Sequence, residues 1–330
     1  MSSINDISSD QSNTVVFAVP LEILRAVEGL HQFLDKKKLA EVFRIASEME
    51  KRDKAGKLGR PLEGKILATL FYEPSTRTRL SFEAGMLKLG GGVISTPTAL
   101  TSSSAVKGET IEDTARIVSG FADVIVIRHP EIGTATRAAS TSSVPVINAG
   151  DGAGEHPTQT LYDAYTILKE RGGLDNMHIA LAGDLLYGRG IHSLVILLST
   201  FRNVTIYLVS PKELRLPEKY KKILRSKGVA FEEYTDIQKI AAKADVFYVT
   251  RVQKERFTSE KLYKKVAHSL MFDKSVLKKC KKNAVIMHIM PRVGELSPEI
   301  DSDPRAAYFR QAKNGLYVRM ALLKMLIGKK

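Results

Sequence analysis

Hydroxyl and guanidinium side chains are concentrated in one short segment, Ser75-Thr76-Arg77-Thr78-Arg79. An apolar run typical of a strand, 66–72, precedes this segment, and apolar residues at helical spacing follow it. The segment is therefore predicted to begin a helix, where free backbone N–H groups and the helix dipole favour an anion. Because hydroxyl and guanidinium groups bind phosphate oxygens, we expect a phosphate site. The alternative is an ordinary capped helix, but two arginines exceed what capping requires.

Polar residues also stand where other predicted strands end. Arg128 closes the apolar run 124–127, and His156 and Gln159 open a helix that follows a strand at 144–148. Open parallel sheets bind ligands at the carboxyl ends of their strands, which favours a shared site. A neutral imidazole and a carboxamide can bond a carbonyl and an amide without adding charge. Taken singly, a structural ion pair for Arg128 and a helix cap for His156 are each about as well supported as a role in ligand binding.

Further cations lie in loops. Lys107 follows a Ser/Thr-rich loop and would add a mobile cation, although one loop lysine is weak evidence alone. In the second half of the chain, Arg189 and Arg251 come shortly after predicted strands, and their planar guanidinium groups suit carboxylates. The last strand leads into a turn at 288–292, where Pro291 can fix an unusual, cis peptide bond.

Strand-like and helix-like segments alternate along the chain. Predicted strands lie at 65–72, 93–94, 124–127 and 144–148, and in a second series at 178–183, 204–209, 229–234, 245–250 and 284–288. Continuous apolar strands separated by helices are typical of parallel sheets covered on both faces. The predicted fold class is α/β, with two doubly wound parallel-sheet domains joined by bridging helices, one of them at 158–170.

Composition excludes several classes of protein. The 330 residues, 44% of them hydrophobic, suffice for two domains, and no stretch approaches the length of a membrane span. Much of the net charge of +14 lies in 212–227 and 261–282. Lysines there surround apolar helix positions and accompany no binding motif, which favours solvated helix faces over nucleic-acid binding. We therefore expect neither a nucleic-acid nor a membrane partner.

Motifs for metals and cofactors are missing from the sequence. Cys280 is the only cysteine, so an internal disulfide and a multi-cysteine metal site are excluded. No zinc motif, P-loop or dinucleotide fingerprint is present, and no metal or cofactor is predicted. Many phosphate-binding groups without a nucleotide motif favour a small phosphorylated substrate. The first twenty residues lack the pattern of a signal or transit peptide, so a cytoplasmic protein is expected.

Several motifs in a fixed order carry a resemblance to a known family. They are 75–79, Lys107-Gly108-Glu109-Thr110, Arg128-His129-Pro130, His156-Pro157-Thr158-Gln159, Gly183-Asp184-Leu185 with Tyr187-Gly188-Arg189, and the segment 250–256. With these motifs the chain resembles the catalytic chains of the aspartate transcarbamoylase (aspartate carbamoyltransferase) family, in the aspartate/ornithine carbamoyltransferase superfamily. The resemblance runs from about residue 30 to the C-terminus, so it covers nearly the whole chain.

The resemblance implies transfer of a carbamoyl group from carbamoyl phosphate to L-aspartate, a step of pyrimidine biosynthesis. The residues that it implies for carbamoyl phosphate are Ser75, Thr76, Arg77, Thr78, Ser103, Lys107, Arg128, His156, Gln159, Ile289 and Met290. Those that it implies for aspartate are Lys107, Arg189, Arg251, Gln253 and Met290. Arg77, Thr78, Arg128 and His156 are expected to be catalytic, the last three by stabilising a tetrahedral oxyanion.

The resemblance also implies an assembly and a domain organisation. A homotrimer is expected, in which Ser103 and Lys107 enter the active site of a neighbouring chain. Whether separate regulatory chains also bind is left open by the sequence. The expected domains are 31–157 with 309–330 for carbamoyl phosphate and 158–308 for aspartate. The extension at 1–30 has no counterpart in the family and is expected to be disordered.

One motif departs from the family. After the last strand the family usually has His-Pro-Leu-Pro-Arg, whereas this chain has His288-Ile289-Met290-Pro291-Arg292. Because the first proline stiffens this turn, its loss is expected to lower affinity or rate modestly. Restoring proline at Ile289 is expected to raise kcat/KM for aspartate.

Two other functions are weighed against aspartate carbamoylation. A sister enzyme acting on another amine, such as ornithine, is expected to carry Ser-Met-Gly where Val252-Gln253-Lys254 stands, and a cysteine where Ile289 stands. A non-catalytic α/β scaffold that binds anions would not need every expected site residue, yet all of them are present. Both alternatives are therefore disfavoured.

Overall fold

The computed structural model describes residues 36–102, 104–152, 156–252, 259, 260, 263 and 270–328. The expected N-terminal extension, Ser103 and Gln253 lie outside these residues. Contacts between Cα atoms divide the chain into two units, with crossings after Thr158 and after Asn314. The first unit contains the chain up to Thr158 and from Gly315 onward, and the second contains Gln159–Asn314.

Helices and strands alternate in both units. The helices are α1 Lys36–Lys54, α2 Thr76–Lys88, α3 Ala99–Ser102, α4 Ile111–Val118, α5 Thr134–Thr141, α6 Pro157–Arg171, α7 Arg189–Leu198, α8 Glu218–Ser226, α9 Lys274–Lys279 and α10 Tyr308–Ile327. The strands are β1 Ile66–Phe71, β2 Gly92–Thr96, β3 Val124–His129, β4 Val146–Asp151, β5 Met177–Ala182, β6 Val204–Val209, β7 Ala230–Tyr234, β8 Val246–Val249 and β9 Val285–His288. Each strand predicted from an apolar run is present.

The first unit contains a parallel sheet with strand order β2-β1-β3-β4. Phe71 at the end of β1 pairs with Arg128 near the end of β3, so both strands finish at the same edge. Apolar residues of these strands, such as Leu70 and Ile127, pack with Ala115 of α4 and Ala138 of α5 in one core. The packed sheet therefore holds the polar segments that follow its strands in fixed positions.

The second unit contains a parallel sheet with strand order β7-β6-β5-β8-β9. Ala182 at the end of β5 pairs with Val249 at the end of β8, which brings the loops after these two strands together. In its core, the rings of Phe247 and Phe272 lie 5.2 Å apart, edge to face. The α/β fold with two parallel sheets, predicted from the sequence, is confirmed.

Two helices cross from one unit to the other. The chain enters the second unit within α6 and leaves it within α10. Residues 309–314 of α10 group with the second unit, whereas the sequence assigned all of 309–330 to the first domain. Contacts with α6 explain this grouping, because Asn314 donates to the Thr166 hydroxyl at 2.9 Å and Gln311 donates to Asp163 at 2.7 Å.

Among the helices that the structure describes, none combines the length and the apolar character needed to cross a membrane.

Candidate active site

Ser75 occupies the N-cap position of α2 without capping it. Its backbone is extended, with φ −157° and ψ 101°, yet its hydroxyl makes no capping hydrogen bond. Ser and Thr usually accept from an N–H group of the first turn at this position. The hydroxyl of Ser75 and the N–H groups at the start of α2 therefore lie together at the positive end of the helix dipole, an arrangement suited to an anion.

The two arginines of the first turn of α2 have different environments. Thr76 and Arg77 are exposed, and Thr78 is buried. Arg79 instead turns back along the helix, where its Nη1 donates to Glu83 at 3.2 Å and to the Ser95 hydroxyl at 3.3 Å. Glu83 also accepts from the hydroxyls of Thr69 and Ser95. Arg79 is thus part of a hydrogen-bonded cluster with Glu83 and Ser95, whereas Arg77 is exposed in the first turn of α2.

Arg128 is held at the ends of three neighbouring strands. Its Nη2 lies 3.2 Å from a carboxylate oxygen of Glu73, which follows β1, and its Nη1 donates to the carbonyl oxygen of Ala149 in β4 at 3.3 Å. Only 14% of the Arg128 side chain is exposed. Glu73 is not among the site residues predicted from the sequence, although an acidic residue just after β1 and a basic one at the end of β3 reach the same edge of a parallel sheet and can pair there.

The segment around Lys107 forms a turn whose base is hydrogen-bonded. Lys107 is the last residue of a 3₁₀ turn, Ser104–Lys107, and is exposed. Gly108 follows with φ +86°, a conformation that glycine adopts readily. Glu109 then accepts from the Thr114 hydroxyl at 2.8 Å, and Thr110 caps α4 by accepting from the Asp113 N–H. These bonds fix the base of the turn and leave the lysine at its outer end.

His156 and Gln159 flank the start of α6. His156 is buried and directly precedes Pro157, the first residue of the helix, as the sequence predicted. Gln159 is also buried, and it is the first residue that contact grouping assigns to the second unit. Its side-chain Nε2 donates to the hydroxyl of Tyr248 in β8 at 3.3 Å.

Glycine allows the loops after β5 and β8 to lie side by side. Gly183 follows β5 with φ +123° and packs against the backbone of Thr250, which follows β8. Arg189 begins α7, half-buried, at the end of the β5 loop, and Arg251 is half-buried next to Thr250. In the second unit, two guanidinium groups therefore stand on loops from adjacent strand ends, which suits the recognition of carboxylates.

A hydrogen-bonded histidine shapes the turn after β9. The Met290 N–H donates to His288 Nδ1 at 2.8 Å, so Nε2 carries the proton and donates to Glu295 at 2.7 Å. Burial alone would raise the pKa of Glu295, but the bond from His288 and backbone N–H groups lower it below its usual value. The Met290–Pro291 peptide is cis, a geometry that proline permits, and Met290 has φ +52°. The effect of Ile289 stays a prediction.

Three buried polar residues of the second unit were missed in the sequence. Tyr248 donates to Asp163 at 2.5 Å, and Gln311 donates to the other oxygen of that carboxylate at 2.7 Å. Asp163 is fully buried, although it lies among the apolar residues of α6. An acidic residue within the stretch Leu161-Tyr162-Asp163-Ala164-Tyr165, where all four neighbours are apolar or aromatic, is the signal that could have identified it, because buried carboxylates need partners.

Metal ligands are not clustered in the part of the chain that the structure describes. There, no group of three or more His, Cys, Asp or Glu residues could hold a metal ion.

Comparisons with known proteins identify the family. The profile described as "Aspartate/ornithine carbamoyltransferase, carbamoyl-P binding domain" matches residues 30–169, and its companion, "Asp/Orn binding domain", matches residues 175–326. The chain is 52% identical over 307 residues to "Aspartate carbamoyltransferase, chloroplastic" of Arabidopsis thaliana, covering 93% of this chain and 78% of that protein.

Solved structures show the same relationship. The catalytic subunit of Methanocaldococcus jannaschii aspartate transcarbamoylase superposes with a TM-score of 0.84 at 50% identity, over 88% of this chain and 94% of that one. Aspartate transcarbamoylase of Trypanosoma cruzi, solved with N-(phosphonacetyl)-L-aspartic acid, superposes with a TM-score of 0.84 at 39% identity, over 91% and 94% of the chains. The chain belongs to the aspartate/ornithine carbamoyltransferase family and, within it, to the aspartate carbamoyltransferases, which transfer the carbamoyl group of carbamoyl phosphate to L-aspartate.

Proposed function

We propose that the first unit binds carbamoyl phosphate at the start of α2. Ser75, Thr76, Arg77 and Thr78 hold the phosphate, and Arg128 reaches both the phosphate and the carbonyl oxygen. The observation that carries this assignment is the uncapped N-terminus of α2. There the Ser75 hydroxyl makes no capping bond, so this hydroxyl and the helix N–H groups can bind the anion, and the exposed Arg77 lies in the same helical turn.

We propose that the second unit supplies the groups for aspartate. Arg189, Arg251 and Gln253 receive its carboxylates, and the backbone at Ile289 and Met290 bonds the carbamoyl NH2 and the aspartate amine. The support is the half-buried position of both arginines after adjacent strands, where a guanidinium fork can pair with a carboxylate. The ammonium group of Lys107, a residue of the first unit, contacts both substrates.

The proposed reaction begins with attack by the neutral amine of aspartate on the carbamoyl carbon. The carbonyl π electrons move to oxygen, and Thr78, Arg128 and His156 stabilise the resulting oxyanion. The C–O bond to phosphate then breaks, and the departing phosphate takes the proton that the new C–N bond releases. Gln159 orients the carbamoyl NH2 throughout, so positioning and electrostatics do most of the work.

The proposed assembly is a homotrimer in which Ser103 and Lys107 act in a neighbouring chain. Its support is the exposed turn at Lys107, together with apolar side chains of the first unit that face solvent: Leu80 is 49%, Leu87 60% and Val106 64% exposed. Mixing inactive Lys107→Ala and Arg77→Ala chains should restore activity through hybrid sites. The absence of rescue, in a sample that sediments as a trimer, would contradict sharing.

We place the activity in pyrimidine biosynthesis and in the cytoplasm. Plant relatives bear the word chloroplastic in their names, so location needs a direct test. A fluorescent protein fused to residues 1–35 should stay in the cytoplasm of the source cell, and organelle import would overturn this location.

One assay tests the reaction. Purified protein is mixed with carbamoyl phosphate and either aspartate or ornithine, and phosphate release and the carbamoylated product are both measured. Product with aspartate alone supports the proposal, and product with ornithine alone supports the sister enzyme. Binding of carbamoyl phosphate without turnover of any amine would support the non-catalytic scaffold.

The role of Arg77 is tested in the same assay. Arg77→Ala should reduce kcat/KM by at least about a hundredfold, because a charge-assisted pair with phosphate is lost. Arg116→Ala is the matched control, since Arg116 is an exposed arginine of the first unit paired with the equally exposed Asp113. Near-normal activity of Arg77→Ala would contradict the phosphate site.

A further inference from the structure

A chain of hydrogen bonds in the second unit connects Gln159 with the turn after β9 through one carboxylate. Gln159 Nε2 donates to Tyr248 at 3.3 Å, and Tyr248 donates to Asp163 Oδ2 at 2.5 Å. On the other side, Gln311 Nε2 donates to Asp163 Oδ1 at 2.7 Å, and Gln311 Oε1 accepts from the His288 N–H at 2.9 Å. All five residues are buried.

The carboxylate of Asp163 sets the direction of each bond in this chain. An ionised carboxylate can only accept, so the Tyr248 hydroxyl must give its proton to Asp163. Burial, and then the charge of Asp163, raise the pKa of Tyr248 well above its ordinary value, so that the phenol keeps this proton. The Tyr248 oxygen is left with acceptor sites alone, and only the NH2 end of Gln159 can bond to it.

The bond to Tyr248 fixes the orientation of the Gln159 amide. Because its Nε2 end is tied to Tyr248, its Oε1 end points to the opposite side as an acceptor. The CH2 groups of this side chain have a neighbour in Gly190, whose absent Cβ would lie 3.7 Å from Gln159 Cγ and 3.8 Å from the Tyr248 hydroxyl. A longer side chain at Gly190 would push into this contact.

Gln311 is oriented in the same way. Its NH2 end faces Asp163, so its Oε1 faces the backbone N–H of His288, the last residue of β9. His288 in turn accepts from the Met290 N–H. A single carboxylate therefore fixes the acceptor direction of one glutamine side chain and the backbone that leads into the Met290 turn.

We propose that Asp163, which contacts no substrate, is a positioning residue that makes the site select a carbamoyl group, acting on Gln159 through Tyr248 and on the Met290 turn through Gln311. This inference rests on the proposed function, in which Gln159 bonds the carbamoyl NH2. A carbamoyl NH2 is a donor, and an oriented Oε1 accepts from it. A Gln159 amide rotated by half a turn would set NH2 against NH2 and lose that bond.

Acetyl phosphate is the probe for this selection, because it carries a methyl group where carbamoyl phosphate carries the NH2. The measured quantity is the ratio of the dissociation constants of acetyl phosphate and carbamoyl phosphate, with inorganic phosphate as a reference ligand. Tyr248→Phe keeps the ring and removes the hydroxyl that holds Gln159. We expect carbamoyl phosphate to bind about tenfold more weakly, and acetyl phosphate and phosphate to bind within about twofold of the wild type.

A double-mutant cycle separates positioning from a general structural role. Gln159→Ala should lower the ratio on its own, and adding Tyr248→Phe to it should change the ratio no further, because Tyr248 acts through Gln159. Tyr207→Phe, on strand β6 of the same sheet, is the matched control and should leave the ratio unchanged. Equal weakening of all ligands by Tyr248→Phe, or additive effects in the cycle, would overturn the proposal.

The Asp163→Asn variant tests whether Asp163 sets the direction of the hydrogen bonds in this chain. An asparagine can donate as well as accept, so the Tyr248 proton is no longer committed, and the ratio should fall at least as far as in Tyr248→Phe. If Asp163→Asn does not fold, the Tyr248 cycle still decides the matter. A wild-type protein that binds no carbamoyl phosphate would contradict the proposed function itself, whereas an active wild type with an unmoved ratio would contradict only this inference.

Discussion

The carbonyl oxygen of Thr250 lies 2.2 Å from the point that a Cβ atom of Gly183 would occupy. Gly183 also has φ +123°, a region that other residues rarely adopt. Because a carbonyl of the neighbouring strand end cannot give way cheaply, any side chain at Gly183 must push the loops of Arg189 and Arg251 apart. The absence of a side chain here is a condition for bringing the two arginines to adjacent loops.

Gly183→Ala is therefore expected to destabilise the protein by about 3 kcal/mol, from the strained φ and the backbone contact together. It should also raise KM for aspartate more than KM for carbamoyl phosphate. Chemical denaturation and steady-state kinetics check the two effects. Gly172→Ala is the control, because Gly172 has φ +83° and no described atom within 4 Å of its Cβ position. A similar loss in both variants would show that φ alone matters.

Replacing Arg77 is expected to lower activity, whereas replacing Arg79 is expected to lower stability. Arg79→Ala removes the ion pair with Glu83 and should lower the free energy of unfolding by about 1 kcal/mol, while KM for carbamoyl phosphate changes by less than about threefold. Adding Glu83→Gln should recover part of the stability, since a neutral amide needs no counter-ion. A loss of activity in Arg79→Ala comparable to that in Arg77→Ala would contradict this division.

His192 is expected to make the second unit sensitive to acid. It stacks on Tyr220 with ring centroids 4.3 Å apart, and its Nε2 donates to the Leu185 carbonyl in the loop before Arg189. Burial lowers the pKa of His192 to about 4, against the weaker opposing effect of the Leu185 bond. An unfolded chain takes up this proton near pH 6.5, so the stabilising effect is complete above that pH and is lost as pH falls toward 4.

The two pKa values of His192 give the expected size of this change in the free energy of unfolding. A pKa change from 6.5 to about 4 corresponds to at most about 3 kcal/mol between neutral pH and pH 4. The free energy of unfolding of His192→Gln should fall less steeply over this range than that of the wild type. His178→Gln, which removes a largely exposed imidazole from β5, is the control. Parallel pH profiles for wild type and His192→Gln would refute the assignment.

Cys280 is expected to be unreactive in the folded protein. Burial raises the pKa of this thiol to about 12, and its Sγ–H donates to the Val276 carbonyl at 3.3 Å. Since only the thiolate attacks disulfide reagents, a thiol reagent should label native protein slowly and one thiol per chain after unfolding. Lys222→Cys in a Cys280→Ala background supplies an exposed thiol for comparison. Equal labelling rates would show that the region around Cys280 opens readily.

Apolar runs predicted the strands of both sheets, because the buried strands of a parallel sheet are apolar throughout. Strand ends then located the polar motifs, and Ser75, Arg128 and Arg189 stand where such ends were expected. The i,i+4 spacing of Arg79 and Glu83 is a local signal that already indicates an ion pair. The bond between Asp163 and Tyr248 joins residues 85 positions apart, and Tyr248 sits in an apolar strand, so no local pattern reveals it.

The last helix also sets the order in which the two units can be completed during synthesis. Within the first unit, Arg319 of α10 donates to the Ser81 hydroxyl of α2 at 2.6 Å, and Tyr317 donates to Asp53 of α1 at 3.0 Å. Arg319 and Tyr317 leave the ribosome only after the whole second unit has been made. The first unit, although it begins earlier in the sequence, therefore completes these contacts only after the whole second unit and α10 have been synthesised.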